Sequence, residues 1–394
     1  MSTPGHLRER NLATLLDAMR HHGRISRAQL ARVTGLSRTT VASIVDELER
    51  RGLIVAAPGD DGHGQRGRGR PATQVRLHPS AGVALGIFVG REDMRVALTD
   101  LSLTVLSHGH ARFALDTPAE TLLDLAAQLA DAALADAAVP RRDLIGAGLG
   151  LPSPVHPATG AIDPTILANW ADLPIRDALA TRLATRVAIE NDANLEALAE
   201  LTMGAAKGLH DLIYVKASWG IGGAIVVDGR LRRGISGLAG ELAHIQVRDD
   251  GPLCRCGRRG CLGNSASGHT MLAALQNLHG TELDLDDMIE LARAGDAGVR
   301  RVLADAGREI GGVVASLCSI LDPEAVVVGG ELSGAGSPLL DGMREGIDRG
   351  VLAAGPPRRI MAAALGELAG PLGAASLIVR SGDIPIAFVD TPVI

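Results

Sequence analysis

The chain has 394 residues, 46% of them hydrophobic, and a formal net charge of −6. That length allows two or three domains with real cores, while only six aromatic residues (Phe88, Phe113, Trp170, Tyr214, Trp219, Phe388) argue against a module that stacks on bases. The first nineteen residues interleave Arg, Glu and His with the apolar positions, and no run of eighteen apolar residues occurs anywhere. A secretion signal and a membrane span are therefore not expected, and a cytoplasmic, reducing compartment is.

Charge is unevenly spread. Residues 1–78 hold 13 Arg against seven acidic residues, a net +6, which leaves −12 for the remainder. A basic head on an acidic body points to a polyanionic partner for the head alone.

Residues 7–22 place Leu12, Leu15, Leu16 and Met19 at helical spacing and end at Gly23. Ser26-Arg-Ala-Gln29 reads as a capping box opening a short helix with Leu30 and Val33 inward, and Gly35 makes the turn that follows. Ser37 caps a third helix whose inward face is Val41, Ile44, Val45 and Leu48 and whose outward face begins Arg38, Thr39, Thr40 and Ser43. That is a helix-turn-helix, with Ser37, Arg38, Thr39, Thr40 and Ser43 expected against double-stranded DNA. Strand-like runs at 53–55 and 74–77 make it winged. Between them Arg66, Arg68 and Arg70 alternate with glycine, a composition suited either to a minor-groove hook or to a solvated linker.

From Ala81 the texture changes. Strand-like runs at 82–89, 95–99 and 101–107, a helix near 118–136, a buried strand at 145–149, a helix at 174–183 and a strand at 187–189 describe an α/β unit. Glu190-Asn191-Asp192 lies at the carboxyl end of the last strand, where such sheets place ligands. A second, similar round runs through strands at 212–215 and 223–227, helices near 286–293 and 297–320, and a strand at 325–328. Two comparable halves imply two lobes with a cleft between them. The expected division is 1–78 for the head (58–72 its wing or linker), 79–195 for one lobe, and 196–394 for the other, whose C-terminal segment can return to the first.

Inside the second half, Gly240 to Gly263 gathers His244, Cys254, Cys256 and Cys261. Three thiols and one imidazole make a complete tetrahedral zinc set with no position open for water, so the metal expected here is structural Zn²⁺ rather than catalytic. Free loop thiols or a disulfide are the alternative, disfavoured by the glycines between the cysteines and by the reducing compartment. Cys318, in an apolar helical run, reads as a small core residue.

With these pieces placed, the chain resembles the ROK family (repressors, open reading frames and sugar kinases) over essentially its whole length. The matching motifs are the helix-turn-helix head, Glu190-Asn191-Asp192-Ala193-Asn194, Gly220-Ile221-Gly222-Gly223, Gly240-Glu241-x-x-His244 and Cys254-x-Cys256-Gly257-x-x-Gly260-Cys261-Leu262. The resemblance implies an α/β architecture, a winged helix-turn-helix followed by a two-lobed, actin-like sugar-kinase fold. It also implies that Asn191, Asp192, Glu241 and His244 hold the hydroxyls of a sugar or sugar derivative, with Asp192 the catalytic base in members that phosphorylate.

Three departures matter. Where kinases of the family open with Asp-x-Gly-Gly-Thr, this chain has Phe88-Val89-Gly90-Arg91-Glu92, and a negative side chain repels the phosphate it should receive. Where they carry Gly-Thr-Gly, Ser218-Trp219-Gly220 puts an indole across the triphosphate path, and Gly263 stands where sugar-binding members carry a glutamate. The expected protein is thus a transcription regulator, most naturally a repressor with no catalytic residues, acting as a homodimer or homotetramer on its operator and answering to a small polar effector. The alternative is a sugar kinase with an added DNA-binding head; a zinc hydrolase would need an open metal position.

Overall fold

The computed structural model describes residues 11–380 apart from 13, 17, 20, 21, 51, 58–72, 79–80, 171–172, 281–282 and 353–357. Arg66, Arg68 and Arg70, and the start of the opening helix, lie outside the described residues.

The described residues of 11–22 are helical (α1), and Leu15, Leu16 and Met19 are buried as their spacing requires. Strand β1 (Ile25–Ser26) leads into α2 (Arg27–Thr34), opened by the Ser26/Gln29 capping box and closed by Gly35 at φ 68°, and then α3 (Arg38–Arg50). The amide of Thr40 donates to Ser37 Oγ at 3.1 Å, the cap expected for α3. Strands β2 (Ile54–Ala57) and β3 (Gln74–Leu77) complete an antiparallel sheet in the order β1-β3-β2. Val33 does not turn inward: it is 49% exposed, because the short α2 has room to bury only Leu30.

The body contains two five-stranded sheets with the same strand plan. The first comprises β4 (Val83–Val89), β5 (Asp93–Asp100), β6 (Val105–Arg112), β7 (Leu144–Leu151) and β8 (Val187–Asn191), in the order β6-β5-β4-β7-β8. The second comprises β9 (Leu212–Ala217), β10 (Ile221–Val227), β11 (Arg230–Leu231), β12 (Ala325–Gly329) and β13 (Ile360–Ala362), in the order β11-β10-β9-β12-β13. In each, an antiparallel meander is extended by two parallel strands. The third strand starts four residues later than the apolar run at 101–107 suggests. Asp100 Oδ1 accepts the amides of Ser102 at 2.8 Å and Thr104 at 2.9 Å, and Leu103 turns at φ 65°, so this stretch is a tight turn.

Helices α4 (Ala119–Asp136) and α5 (Ile175–Leu183) belong to the first lobe, and α6 (Asp192–Thr202) leaves the end of β8. The second lobe carries α7 (Gly263–Ala266), α8 (Gly268–His279), α9 (Leu285–Ala294), α10 (Ala297–Leu321) and α11 (Ser337–Gly350). Cys318 is buried in α10, in the apolar core of that lobe.

The last helix, α12 (Ala369–Arg380), packs on β4, β7 and α6 of the first lobe. Both strands are buried along their whole length, as strands covered on two faces should be. The helix lies on them so closely that a Cβ at Gly86 would stand 1.7 Å from the Pro371 carbonyl oxygen. Beyond the sheet, Ala375, Ile378 and Val379 join Leu15, Leu16, Met19, Val45 and Leu48 of the head in one buried apolar cluster. No helix among the described residues is long and apolar enough to cross a membrane.

Candidate functional site

Helix α6 begins where β8 ends, and that junction orients the Glu190-Asn191-Asp192 run. Asn191 is the N-cap, its Oδ1 accepting the amide of Asn194 at 3.1 Å while its Nδ2 donates to the Ser153 carbonyl at 3.2 Å. Asp192 is the first residue of the helix, buried, with its Oδ1 accepting the amide of Ala193 at 2.8 Å. Its Oδ2 accepts a hydrogen bond from Lys216 Nζ at 2.7 Å, and the same ammonium lies 3.1 Å from Glu196 Oε1. Glu190 is buried and paired with Arg233, and Tyr214 donates to Glu196 Oε2 at 2.8 Å.

Burial alone would lower the pKa of Lys216, but Asp192, Glu196 and Glu331 outweigh it and hold the ammonium protonated. Burial pushes the Glu196 carboxyl up, with Lys216 opposing and Asp192 adding to the rise. Sequence reasoning passed over Lys216, Glu196 and Glu331. Only the rarity of lysine in this chain marked Lys216, since its partners lie on another element.

Glu241 and His244 flank the 3-10 turn Leu242–His244 and line a cavity of about 590 Å³ with Asp163, Leu238, Arg255 and Arg258. Asn191 and Asp192 are not among its lining residues, so the four expected effector contacts divide into a pair on the cavity wall and a pair at the junction of β8 and α6. Burial, and then the charge of Asp192, raise Glu241 to about 7, against the opposing pull of Arg255. Burial and Arg255 lower His244.

A carboxyl raised from 4.5 to about 7 stays protonated in the folded chain where the unfolded chain has already ionised. Its contribution to stability is therefore complete below 4.5 and lost as the pH rises through 7. Glu241→Gln is expected to flatten the pH dependence of thermal stability over that interval and to gain on the wild type at about pH 8. Identical melting-versus-pH curves for the two proteins would refute the assignment.

The adjoining loop brings one ligand atom each from His244, Cys254, Cys256 and Cys261 within 4.8 Å of one another. Cys254 Sγ is 3.5 Å from His244 Nδ1, and Cys256 Sγ is 3.6 Å from Cys261 Sγ. The edges of a tetrahedron with metal–ligand bonds of about 2.0–2.3 Å are about 3.3–3.8 Å, so both of these pairs fit such an ion. Burial and then the neighbouring thiols push Cys261 up to about 12, while the backbone amide of Arg258 lowers Cys256. Thiols crowded in this way favour a cation that takes them as thiolates.

At the other side of the cleft, Phe88 is 5% exposed and its ring lies 4.8 Å from Lys216 Nζ. The guanidinium of Arg91 stands 3.9 Å above the Trp219 ring, whose centroid is 5.6 Å from that of His269. The segments Phe88–Glu92 and Ser218–Gly220 are thus joined by the stacking of Arg91 on Trp219. In the head, Arg38, Thr39 and Ser43 are exposed at the start of α3, while the Ser37 hydroxyl is 2.8 Å from those of Thr39 and Thr40. Arg27 bridges to Asp46 at 2.6 Å and Glu49 at 2.9 Å, clipping α2 to α3 at an exposed site worth at most about 1 kcal/mol.

A winged helix-turn-helix in front of two sheets of identical plan, with a His/Cys loop that could hold a metal, defines a DNA-binding protein built on a sugar-kinase-like body. The ROK family model matches residues 84–381, and the chain belongs to the ROK family. A MarR family model matches residues 11–65. The chain is 29% identical over 370 residues to a xylose repressor of Bacillus subtilis, covering 94% of each protein. A ROK hexokinase structure from Thermus thermophilus is 32% identical with a TM-score of 0.63, covering 74% of this chain and 96% of the enzyme. The structure of a ROK family transcriptional regulator described as a homologue of E. coli MLC superposes with a TM-score of 0.80 over 96% of this chain and 98% of that one, at 23% identity.

Proposed function

We propose that this protein is a DNA-binding transcriptional repressor whose operator affinity is set by a sugar or sugar derivative bound between the lobes. The observation that carries this is one of coverage. The likeness to the xylose repressor runs through head and body alike, whereas that to the hexokinase stops at the body. The side chains at the phosphate turns support the same reading. Arg91, Trp219 and Phe88 fill the lane a nucleotide would need, and Glu92 adds negative charge beside it.

In this reading residues 1–78 form the head, 79–195 and 196–394 the lobes, and the protein is cytoplasmic. Ser37, Arg38, Thr39, Thr40 and Ser43 face the major groove, and Arg66, Arg68 and Arg70 reach the minor groove. Asn191, Asp192, Glu241 and His244 hold the effector hydroxyls. Zn²⁺ held by His244, Cys254, Cys256 and Cys261 fixes the turn bearing Glu241 and supplies no reaction of its own. Two heads are needed to read a palindromic operator, which calls for a homodimer or homotetramer.

The test is fluorescence anisotropy with DNA from upstream of the protein's own gene, titrated with salt and with a panel of sugars beginning with xylose. Tight, salt-sensitive binding that one sugar weakens is expected; a head that ignores duplex DNA at low salt would sink the reading. Arg38→Ala should cost about 1–3 kcal/mol of operator affinity and relax base preference at one position. A uniform loss across unrelated sequences would instead place Arg38 on phosphate.

The body's 32% identity to a hexokinase makes phosphorylation the second reading. Incubation with ATP and hexoses should give no sugar-dependent ADP release above the ATP-only control. Appreciable release would establish a kinase.

A further inference from the structure

We propose that Lys216 and Phe88 couple the cleft to the DNA-binding head through α12. The proposal rests on the repressor reading for its purpose, but its geometry stands apart from it.

Lys216 belongs to β9 of the second lobe, Asp192 and Glu196 to α6, and Phe88 to β4 of the first lobe. One ammonium, 12% exposed, therefore joins three elements: it is 2.7 Å from Asp192 Oδ2, 3.1 Å from Glu196 Oε1 and 4.8 Å from the Phe88 ring centre. Removing that charge would leave two buried carboxylates facing each other across the first turn of α6.

Helix α12 is fastened to both ends of this arrangement. A Cβ at Gly370 would stand 2.1 Å from the Phe88 ring, and one at Gly373 would stand 1.9 Å from the Leu195 carbonyl oxygen. Neither Phe88 nor the first turn of α6 can shift without displacing α12, because close-packed backbone leaves no slack to absorb the movement. The helix has 12 residues and so spans about 18 Å. Its far end supplies Ala375, Ile378 and Val379 to the cluster that holds Leu15, Leu16, Met19, Val45 and Leu48 of the head.

The coupling needs two arrangements with different ligand contacts. In one, Asp192 is held by Lys216; in the other its carboxylate accepts an effector hydroxyl and shares the ammonium less. Lys216 is thus a positioning residue, acting on the effector through Asp192 and on the head through α6, Phe88 and α12.

Hydrogen exchange on the full-length protein, free of DNA and sugar, tests this directly. Lys216→Met should speed exchange in α12 and at residues 41–48 of α3 by roughly fivefold or more while leaving residues 253–262 unchanged. The double variant Asp192→Asn, Lys216→Met should restore the native pattern in part, since the repulsion between the carboxylates at 192 and 196 is gone while Glu196 stays buried without its ammonium. Phe88→Leu, which keeps apolar bulk but takes the ring off Gly370, should reproduce the pattern at smaller size. Unchanged head exchange in both Lys216→Met and Phe88→Leu overturns the proposal, as does uniform acceleration that includes the metal loop. Because no DNA is present, a chain that fails to bind its promoter would sink the repressor reading and leave this result standing.

Discussion

Cys256→Ser is expected to release the metal, lower the melting temperature and abolish the response to effector while DNA binding persists. The thiol it removes is one of four groups that could hold an ion, and the rest of the set has no replacement among the described residues grouped there. Structural zinc sites in small domains contribute on the order of 10 kcal/mol of apparent binding free energy, all of it available only to the folded chain. Much less is at stake in a body that also has two large apolar cores. A loss of a few kcal/mol would still lower the melting temperature by at least about 5 °C.

The functional consequence is sharper than the thermal one. His244 belongs both to the group that could hold an ion and to the cavity wall, and Glu241 stands at the start of the same short turn. The backbone of the loop is otherwise tied by short-range contacts, such as the amide of Cys254 on the Arg258 carbonyl at 2.7 Å. Without the ion the cavity wall should lose its fixed geometry. Metal content by emission spectroscopy, a melting curve and promoter binding with and without sugar measure the three effects. Full induction in a metal-free variant would show that the loop and the effector site are independent.

Gly86→Ala is the second large expected effect, on stability rather than regulation. The added methyl would meet the Pro371 carbonyl oxygen at 1.7 Å, its carbon at 2.7 Å and the Ala375 amide nitrogen at 2.9 Å. All three are backbone atoms of α12, which cannot swing aside as a flexible side chain can. Overpacking a core costs about 1–3 kcal/mol when side chains give way, and more when backbone must. We expect at least about 3 kcal/mol, measured as a lower urea midpoint at unchanged slope. Gly23→Ala, where a Cβ would meet nothing within 4 Å but φ is 67°, serves as the comparison for backbone strain alone. If Gly86→Ala loses no more stability than Gly23→Ala, α12 is less tightly seated than its contacts imply.

Much of this molecule is written in local pattern. The capping box at Ser26, the buried face of α3, most of the strand-forming runs of both lobes and the His/Cys loop each depend on residues a few positions apart, so spacing alone reveals them. The same holds for the family motifs, whose glycines and polar groups are contiguous. Where local pattern misled, a short-range competitor was responsible: Asp100 accepting two amides converted an apolar run into a turn.

What residue spacing determined by itself was therefore the outline of the protein: a basic winged head, two comparable α/β halves and a His/Cys loop that could hold a metal. Only the tertiary structure decided which distant residues meet. The Lys216–Asp192 and Lys216–Glu196 pairs, the stacking of Arg91 on Trp219 and the seating of Phe88 on Gly370 join residues 20 or more positions apart, or elements from different lobes. Such contacts depend on how sheets and helices are stacked, which no periodicity records. The junction of α12 with the head is of the same kind, since the apolar faces at 15–19 and 375–379 identify themselves as partners only once the chain has returned across its first sheet.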